Sequence, residues 1–451
     1  MTTRIVSTLS LGFLVLAGGC VETDRTFPVP PSLDAELRRT LQQWGVVPIG
    51  PQPVENPALV TLGQALFFDK VLSGNRDIAC ATCHNAPTFM GDGQSLAVGT
   101  GGAGVGPSRT LGPGREFVPR NAPTLINAGL GLFYMFWDGR VSGFRGGFST
   151  PAGAALPAGL PSILAAQAMF PVTNRREMRG EPGDSDVFGN PNELAQYGDS
   201  QYVEIWRAVM RRVLSIPDYV AKFNAAFPGI ASQQLGFEHA AIAIAAFETH
   251  GLTMTNSPFD RFLKRDDDAM TPEAKRGGLL FFGKASCSGC HNGPLLGGGG
   301  FINVGAPQLG PGTGAGAPLD FGHADVNGSE FYRFAFRVAP LRNVELTAPY
   351  FHSGAYPTLE AVVQHYNDVP VALRAYDVSQ LAPELQATYH GDPATINAVL
   401  ERLAFQLQQP LNLTEGEMRE VVAFLRSLTD PSARDLSSLV PLAVPSGLPV
   451  R

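Results

Sequence analysis

Charge is what this chain has least of. Only 16% of its 451 residues are Asp, Glu, Lys or Arg, and the formal balance is −7. Nucleic-acid binding needs a basic face, so that class of function is excluded; a basic protein partner would suit the sign. Long apolar runs are missing too. Residues 5–17 form a run too short to span a bilayer, and no later stretch is long and apolar enough to do so. Cysteine is scarce at five copies, and of the eight histidines none falls between His84 and His239. In contrast, 51 glycines and 37 prolines exceed the usual share. That composition describes a loop-rich protein wrapped around something, long enough for two or three domains.

Arg4 and the apolar run behind it read as an export signal. The run ends in Leu16-Ala-Gly-Gly-Cys20, which resembles a bacterial lipoprotein signal, with Cys20 as the lipidated first residue of the mature chain. The competing reading is an ordinary cleaved signal beside an incidental cysteine. Either way the chain is expected in the periplasm, with membrane contact only through a lipid on Cys20.

The other four cysteines come as Cys80-Ala-Thr-Cys83-His84 and Cys287-Ser-Gly-Cys290-His291. Two thiols three apart on a tight turn can add to the two vinyl groups of one haem, and the adjacent imidazole is then delivered to the iron. A four-cysteine zinc site would not require a histidine after each pair. A thioredoxin-like pair would not appear twice with that histidine, and disulfides would leave both histidines unexplained. Two covalently bound haems follow, with His84 and His291 as iron ligands.

The surroundings of the motifs are duplicated. Leu62-Gly-Gln-Ala-Leu-Phe-Phe-Asp-Lys70 precedes the first and Arg276-Gly-Gly-Leu-Leu-Phe-Phe-Gly-Lys284 the second; Asn85-Ala-Pro87 and Asn292-Gly-Pro294 follow them. The fold expected is mainly α: two cytochrome c-like domains, each around one haem, with long Gly/Pro-rich loops at 99–114, 143–159 and 297–316. An amphipathic helix should lead into each attachment turn. Residues 232–250 read as a helix capped by Ser232 and stopped by Gly251, Pro258 starts another, and a Thr414-capped helix closes the second domain. The divisions are a signal over 1–19, a linker over 20–56, domains over 57–254 and 255–430, and an irregular tail over 431–451.

An electron-transfer haem needs a second strong ligand, usually Met or His. The distal loop of the first domain offers no histidine. Met90 is close to His84 in sequence for crossing to the other haem face, and Met135, Met169 and Met178 read as core or pocket wall. An open sixth position binds small oxidants, which favours catalysis over wiring.

From Leu62 to Leu428 the chain resembles the bacterial dihaem cytochrome c peroxidases and their relative MauG, which oxidises a partner protein. The likeness rests on Arg120-Asn-Ala-Pro-Thr-Leu-Ile-Asn127, on Phe136-Trp-Asp-Gly-Arg140, on Gln167, Pro171, Glu177 and Met178, and on Leu341-Arg-Asn-Val-Glu-Leu-Thr-Ala-Pro-Tyr-Phe-His352. The resemblance implies hydrogen peroxide as oxidant, Trp137 as electron bridge between the haems, and Glu177 as general acid-base, with Gln167 and Pro171 lining its pocket. It also implies a calcium ion held by Asn121, Thr347 and Pro349. The plain alternatives are a core aromatic for Trp137 and a solvated residue for Glu177 beside Arg175, Arg176 and Arg179. Two departures from the classical peroxidases stand out: residues 99–119 lack the histidine that caps the peroxidatic iron, and Tyr366 holds the place of the axial methionine, with His365 as rival. MauG is similar in both respects.

Three functions remain open on these grounds. The first is a peroxidase fed by a small cytochrome c or cupredoxin. The others are a MauG-like modifier of a protein substrate and a non-catalytic dihaem electron carrier.

Overall fold

The computed structural model describes residue 1 and residues 31–52, 54–144 and 147–450. The export signal and Cys20 therefore lie outside the described residues.

Helix starts follow their local chemistry. Helix α1 (Leu33–Gln43) begins on Ser32, and α2 (Pro57–Phe68) begins on Asn56 with proline in its first turn. A small antiparallel meander follows, β1 (Tyr134–Met135), β2 (Val141–Phe144) and β3 (Gly147–Ser149), with Tyr134 opposite Ser142. The glycine-rich stretch 143–159, expected to be all loop, thus contributes strand edges. Next come α3 (Ile163–Ala168), α4 (Tyr202–Leu214), α5 (Pro217–Ala226) and α6 (Phe237–Gly251). Helix α6 starts four residues later than a Ser232 cap suggests. Ser232–Gln234 is a separate 3-10 turn, and Gly236 caps α6 by donating its N–H to His239 Nδ1 at 3.1 Å. The second half contains α7 (Pro258–Leu263), α8 (Pro272–Phe282), α9 (Leu359–Asn367) and α10 (Glu415–Ser427). Thr414 and Glu417 form the reciprocal cap of α10.

The duplication is visible atom by atom. Helix α2 packs on α6, and α8 packs on α10. A Cβ on Gly63 would lie 1.8 Å from the Ala243 carbonyl oxygen; on Gly277 it would lie 1.7 Å from that of Glu420. Each glycine occupies the same place in its repeat and lets two backbones touch. Four residues beyond each contacted carbonyl stands a phenylalanine: Phe67 meets Phe247 at 5.3 Å, and Phe281 meets Phe424 at 5.1 Å. Helix α2 is less amphipathic than expected. Residues 65–68 and Leu62 and Gly63 are all buried, because neighbours cover most of its circumference.

Two large buried cores result, and residues near the two ends of the described chain cross between them. Leu37, Leu41 and Val46, from the stretch read as a linker, belong to the core built by α8 and α10. Ala433, Leu436, Val444 and Leu448, from the tail, belong to the core built by α2 and α6. There Ser446 Oγ donates to Asp69 at 2.6 Å and Gln64 donates to the Leu439 carbonyl at 3.0 Å. No helix among the described residues is long and apolar enough to cross a membrane.

Candidate functional site

Both attachment turns use the same bonds. His84 N–H donates to the Cys80 carbonyl, and His291 N–H to that of Cys287, each at 2.9 Å. His84 Nδ1 lies 3.0 Å from the Met90 carbonyl, and His291 Nδ1 lies 3.0 Å from that of Leu296. A carbonyl only accepts, so each Nδ1 carries the proton and Nε2 keeps its lone pair, as a metal ligand requires. Burial holds both imidazoles below their ordinary pKa, which keeps them neutral. Met90 thus offers its carbonyl to the His84 ring, and its side chain is buried in the core rather than lining the cavity described below. The four thiols form no disulfide, and among the described residues no three His, Cys, Asp or Glu side chains converge as a zinc site would need.

One continuous, mainly apolar cavity of about 960 Å³ reaches both turns. All four cysteines, His84 and His291 line it, as do Phe67 and Phe281. Paired thiols, a neutral imidazole with a free Nε2 and an apolar wall in each half fit one c-type haem apiece.

In the first half Glu177 sits on a π-helical turn, Arg175–Arg179, a rare geometry that often marks functional sites. The Asn174 side chain caps that turn by accepting from Glu177 N–H at 3.1 Å. The Glu177 carbonyl is held by Thr100 N–H at 3.0 Å and that of Met178 by Gly74 N–H at 2.7 Å. Gly99 leaves room for this approach, since a Cβ there would lie 1.7 Å from the Arg176 carbonyl oxygen. The flanking arginines turn elsewhere: Arg175 and Arg179 pair with Asp199, and Arg176 with Glu116. Glu177 is half-buried in the cavity wall, with Arg140 Nη2 at 3.9 Å. Burial raises its pKa above the ordinary carboxylate value; Arg140 opposes the rise and Asp138 adds to it. Gln167, Pro171, Met135 and Met178 line the same cavity, whereas Met169 is fully buried in the core.

Trp137 also faces the cavity, its indole N–H donating to the Asn121 carbonyl at 2.9 Å. Asn121 directs its side-chain N–H to the Gln94 carbonyl at 2.7 Å, which leaves Oδ1 as an acceptor. Asn121, Thr347 and Pro349 all reach the cavity wall. Each offers an oxygen, the donor type that calcium takes.

On the second side the two candidate ligands separate. His365 is buried and both its nitrogens are taken: Nδ1 accepts from Tyr356 O–H at 2.8 Å, and Nε2–H donates to the Val304 carbonyl at 2.9 Å. Tyr366 lines the cavity instead. Burial pushes its phenol up, and the Cys290 and Cys287 thiols beside it add to the shift.

Some cavity residues escaped the sequence reading. Arg140 closes the Phe136–Arg140 block and stacks over Phe136, its Cζ 3.5 Å from the ring centre. His352 ends another block; it stacks on Phe336 and burial pushes it down to about 3. Glu248 is buried in the wall with Oε2 unpartnered, and burial pushes it up to about 8. A lone acid in the apolar run of α6 was the available signal.

A family model described as di-haem cytochrome c peroxidase matches residues 57–268. The cytochrome c551 peroxidase of Pseudomonas aeruginosa is 35% identical over 323 residues, covering 72% of this chain and 74% of that one. The methylamine utilization protein MauG of Methylorubrum extorquens is 29% identical, covering 86% and 84%. Among solved structures, a MauG-like protein associated with microbial copper homeostasis has a TM-score of 0.58 at 23% identity, covering 87% of this chain and 95% of its own. The diheme peroxidase BthA of Burkholderia thailandensis has a TM-score of 0.57 at 20% identity, covering 86% and 93%; these two likenesses establish the fold. With the identity to the Pseudomonas enzyme spanning most of both chains, this protein belongs to the di-haem cytochrome c peroxidase family.

Proposed function

We propose that the chain reduces hydrogen peroxide at the haem on His84, with electrons that enter at the haem on His291 and cross by way of Trp137. The observation that carries this reading is Glu177: a half-buried acid in the same cavity as His84, in a half that supplies no histidine to close the site. The first haem, once bound, supplies the redox chemistry that cleaves peroxide. Glu177 takes the proton from one peroxide oxygen and hands it to the departing one, which leaves as water. Burial raises its pKa above the ordinary carboxylate value, which favours the proton-carrying form, and Arg140 limits the rise. Gln167 and Pro171 shape the pocket. Asn121, Thr347 and Pro349 hold calcium near the Trp137 contact. A small cytochrome c or cupredoxin is the electron donor. Export to the periplasm, with a lipid on Cys20, agrees with haem attachment outside the cytoplasm.

Tyr366 favours a second reading, in which the oxidising power is spent on a partner protein. As ligand to the second iron, a phenolate stabilises high oxidation states and makes a poor entry point for electrons from a high-potential donor. Two measurements test these readings. The ferric protein should show a high-spin haem that responds to one equivalent of peroxide without prior reduction; a wholly low-spin spectrum that needs reduction would overturn the open site. Steady-state turnover with a reduced small cytochrome c or copper protein then separates the two outcomes. Fast wild-type turnover with no gain in Tyr366→Met supports the peroxidase. Negligible turnover that Tyr366→Met rescues supports oxidation of a partner.

A further inference from the structure

Five charged side chains of alternating sign run through the interior from the second half to Glu177. Asp320 grips Arg120 through two bonds, Oδ2 to Nε at 2.7 Å and Oδ1 to Nη2 at 2.8 Å. Arg120 Nη1 donates to Asp138 Oδ2 at 2.5 Å. Arg140 Nη1 reaches both Asp138 oxygens at 3.1 Å, and its other end faces Glu177. The Arg120, Asp138 and Asp320 side chains are at most 9% exposed. Burying three charges costs several kcal/mol per ion unless each is well paired, so the arrangement calls for a purpose.

Its neighbours suggest one. Arg120 directly precedes Asn121, whose carbonyl holds the Trp137 indole, and Asp138 directly follows Trp137. Two parallel links, Trp137 to Asn121 and Asp138 to Arg120, therefore fix the indole to the 120–121 segment. The second half adds two more. Arg337 N–H donates to the Trp137 carbonyl at 2.8 Å, and His323 Nδ1–H to the Asp138 carbonyl at 2.7 Å. Asp320 is itself fixed: its N–H donates to Gln308 at 2.9 Å, and its Oδ1 accepts from Gly322 N–H at 2.9 Å.

We propose that Asp320 is a positioning residue for the electron bridge: through Arg120 it locks the Trp137 indole of the first half to the frame of the second. This rests on Trp137 being the bridge. The indole N–H is held by Asn121, next to Arg120, and Asp320 grips Arg120 from 200 residues further along the chain. Loss of the lock should loosen the bridge while leaving the haem-attachment residues in place.

The test uses the holoprotein with Asp320→Asn, which keeps the shape and removes one of the two anions on Arg120. The rate of electron transfer between the two haems, followed after rapid reduction of one, should fall about tenfold or more, the usual scale for ångström misplacement. The ultraviolet resonance Raman band that reports the indole N–H hydrogen bond should shift. Haem content and the rate of peroxide binding to the ferric protein should stay as in the wild type. In a Trp137→Phe background, Asp320→Asn should cause no further slowing. Should Asp320→Asn fail to fold, Arg120→Lys keeps the charge but loses the two-pronged grip and should slow transfer likewise. If Trp137→Phe slows transfer while Asp320→Asn leaves it and the Raman band unchanged, the lock is overturned and the bridge stands. Equal slowing by Asp320→Asn with and without the indole also overturns it. If Trp137→Phe leaves transfer unchanged, the bridge reading itself falls.

Discussion

In the first half the helix that closes the core carries Phe247 followed by Glu248; in the second, Phe424 is followed by Leu425. Both pairs occupy the same step of the same helix crossing, one at Gly63 and Ala243, the other at Gly277 and Glu420. Both second members line the cavity, yet one is a buried acid and the other a leucine. The same contrast recurs at the distal positions. The first half offers Glu177 with Arg140, whereas the second offers Tyr366. A scaffold that holds a haem by two thiols and a histidine leaves the rest of the wall free to vary, and the proposed division between a peroxide-handling and an electron-exchanging half rests on that freedom.

The largest way to break the comparison is to remove one attachment site. Replacing Cys287 and Cys290 with Ala should leave the chain with one covalent haem, counted after denaturation in acidified organic solvent. Two retained haems would contradict the reading.

The next test addresses chemistry in one half only. Glu177→Gln should slow the peroxide-driven oxidation of the first haem by about two to four orders of magnitude in stopped flow. The midpoint potential of the second haem should not move. An unchanged rate would make Glu177 part of the wall and no more.

Glu248 supplies a pH signature absent from its leucine counterpart. Its pKa is about 8 in the fold against an ordinary 4.5, because burial disfavours the anion. Between those values the folded protein keeps a proton that the unfolded chain has lost, so stability falls as pH rises through that window. The total loss across the window amounts to several kcal/mol, on the order of 1.4 kcal/mol per pKa unit of difference. Denaturant midpoints measured from about pH 4.5 to pH 8 should decline in the wild type and flatten in Glu248→Leu. An identical slope in the variant would assign the titration elsewhere.

The smallest effect tests the sameness of the scaffold. Gly63→Ala and Gly277→Ala should each destabilise by about 3 kcal/mol, the upper range for overpacking, because each Cβ would meet a backbone carbonyl. Similar urea midpoints for the two variants would show that the halves share one crossing geometry. A large loss in one half alone would show that they do not.

Much of the site was legible because it is local. Each cysteine pair and its histidine fall within five consecutive residues, and a tight turn is all their chemistry needs. The helix starts at Pro258 and after Thr414 were legible for the same reason, since start signals act over about three residues. Where a cap had a nearby competitor, local reading slipped: Gly236 with the His239 ring, rather than Ser232, starts α6.

The sequence by itself determined that this chain carries two attachment sites on a duplicated helical frame, with an acid and a tryptophan in the family's places. Those features depend on spacing along the chain. Only the tertiary structure set His365 apart from Tyr366, by giving both ring nitrogens of His365 protein partners 9 and 61 residues away. It also decided that the Met90 carbonyl meets the His84 ring, that residues 37–46 and 433–448 each pack on the opposite core, and that Asp320 reaches Arg120 across 200 residues. Burial and pairing at such distances belong to the packed chain as a whole, and no stretch of residues read in order contains them.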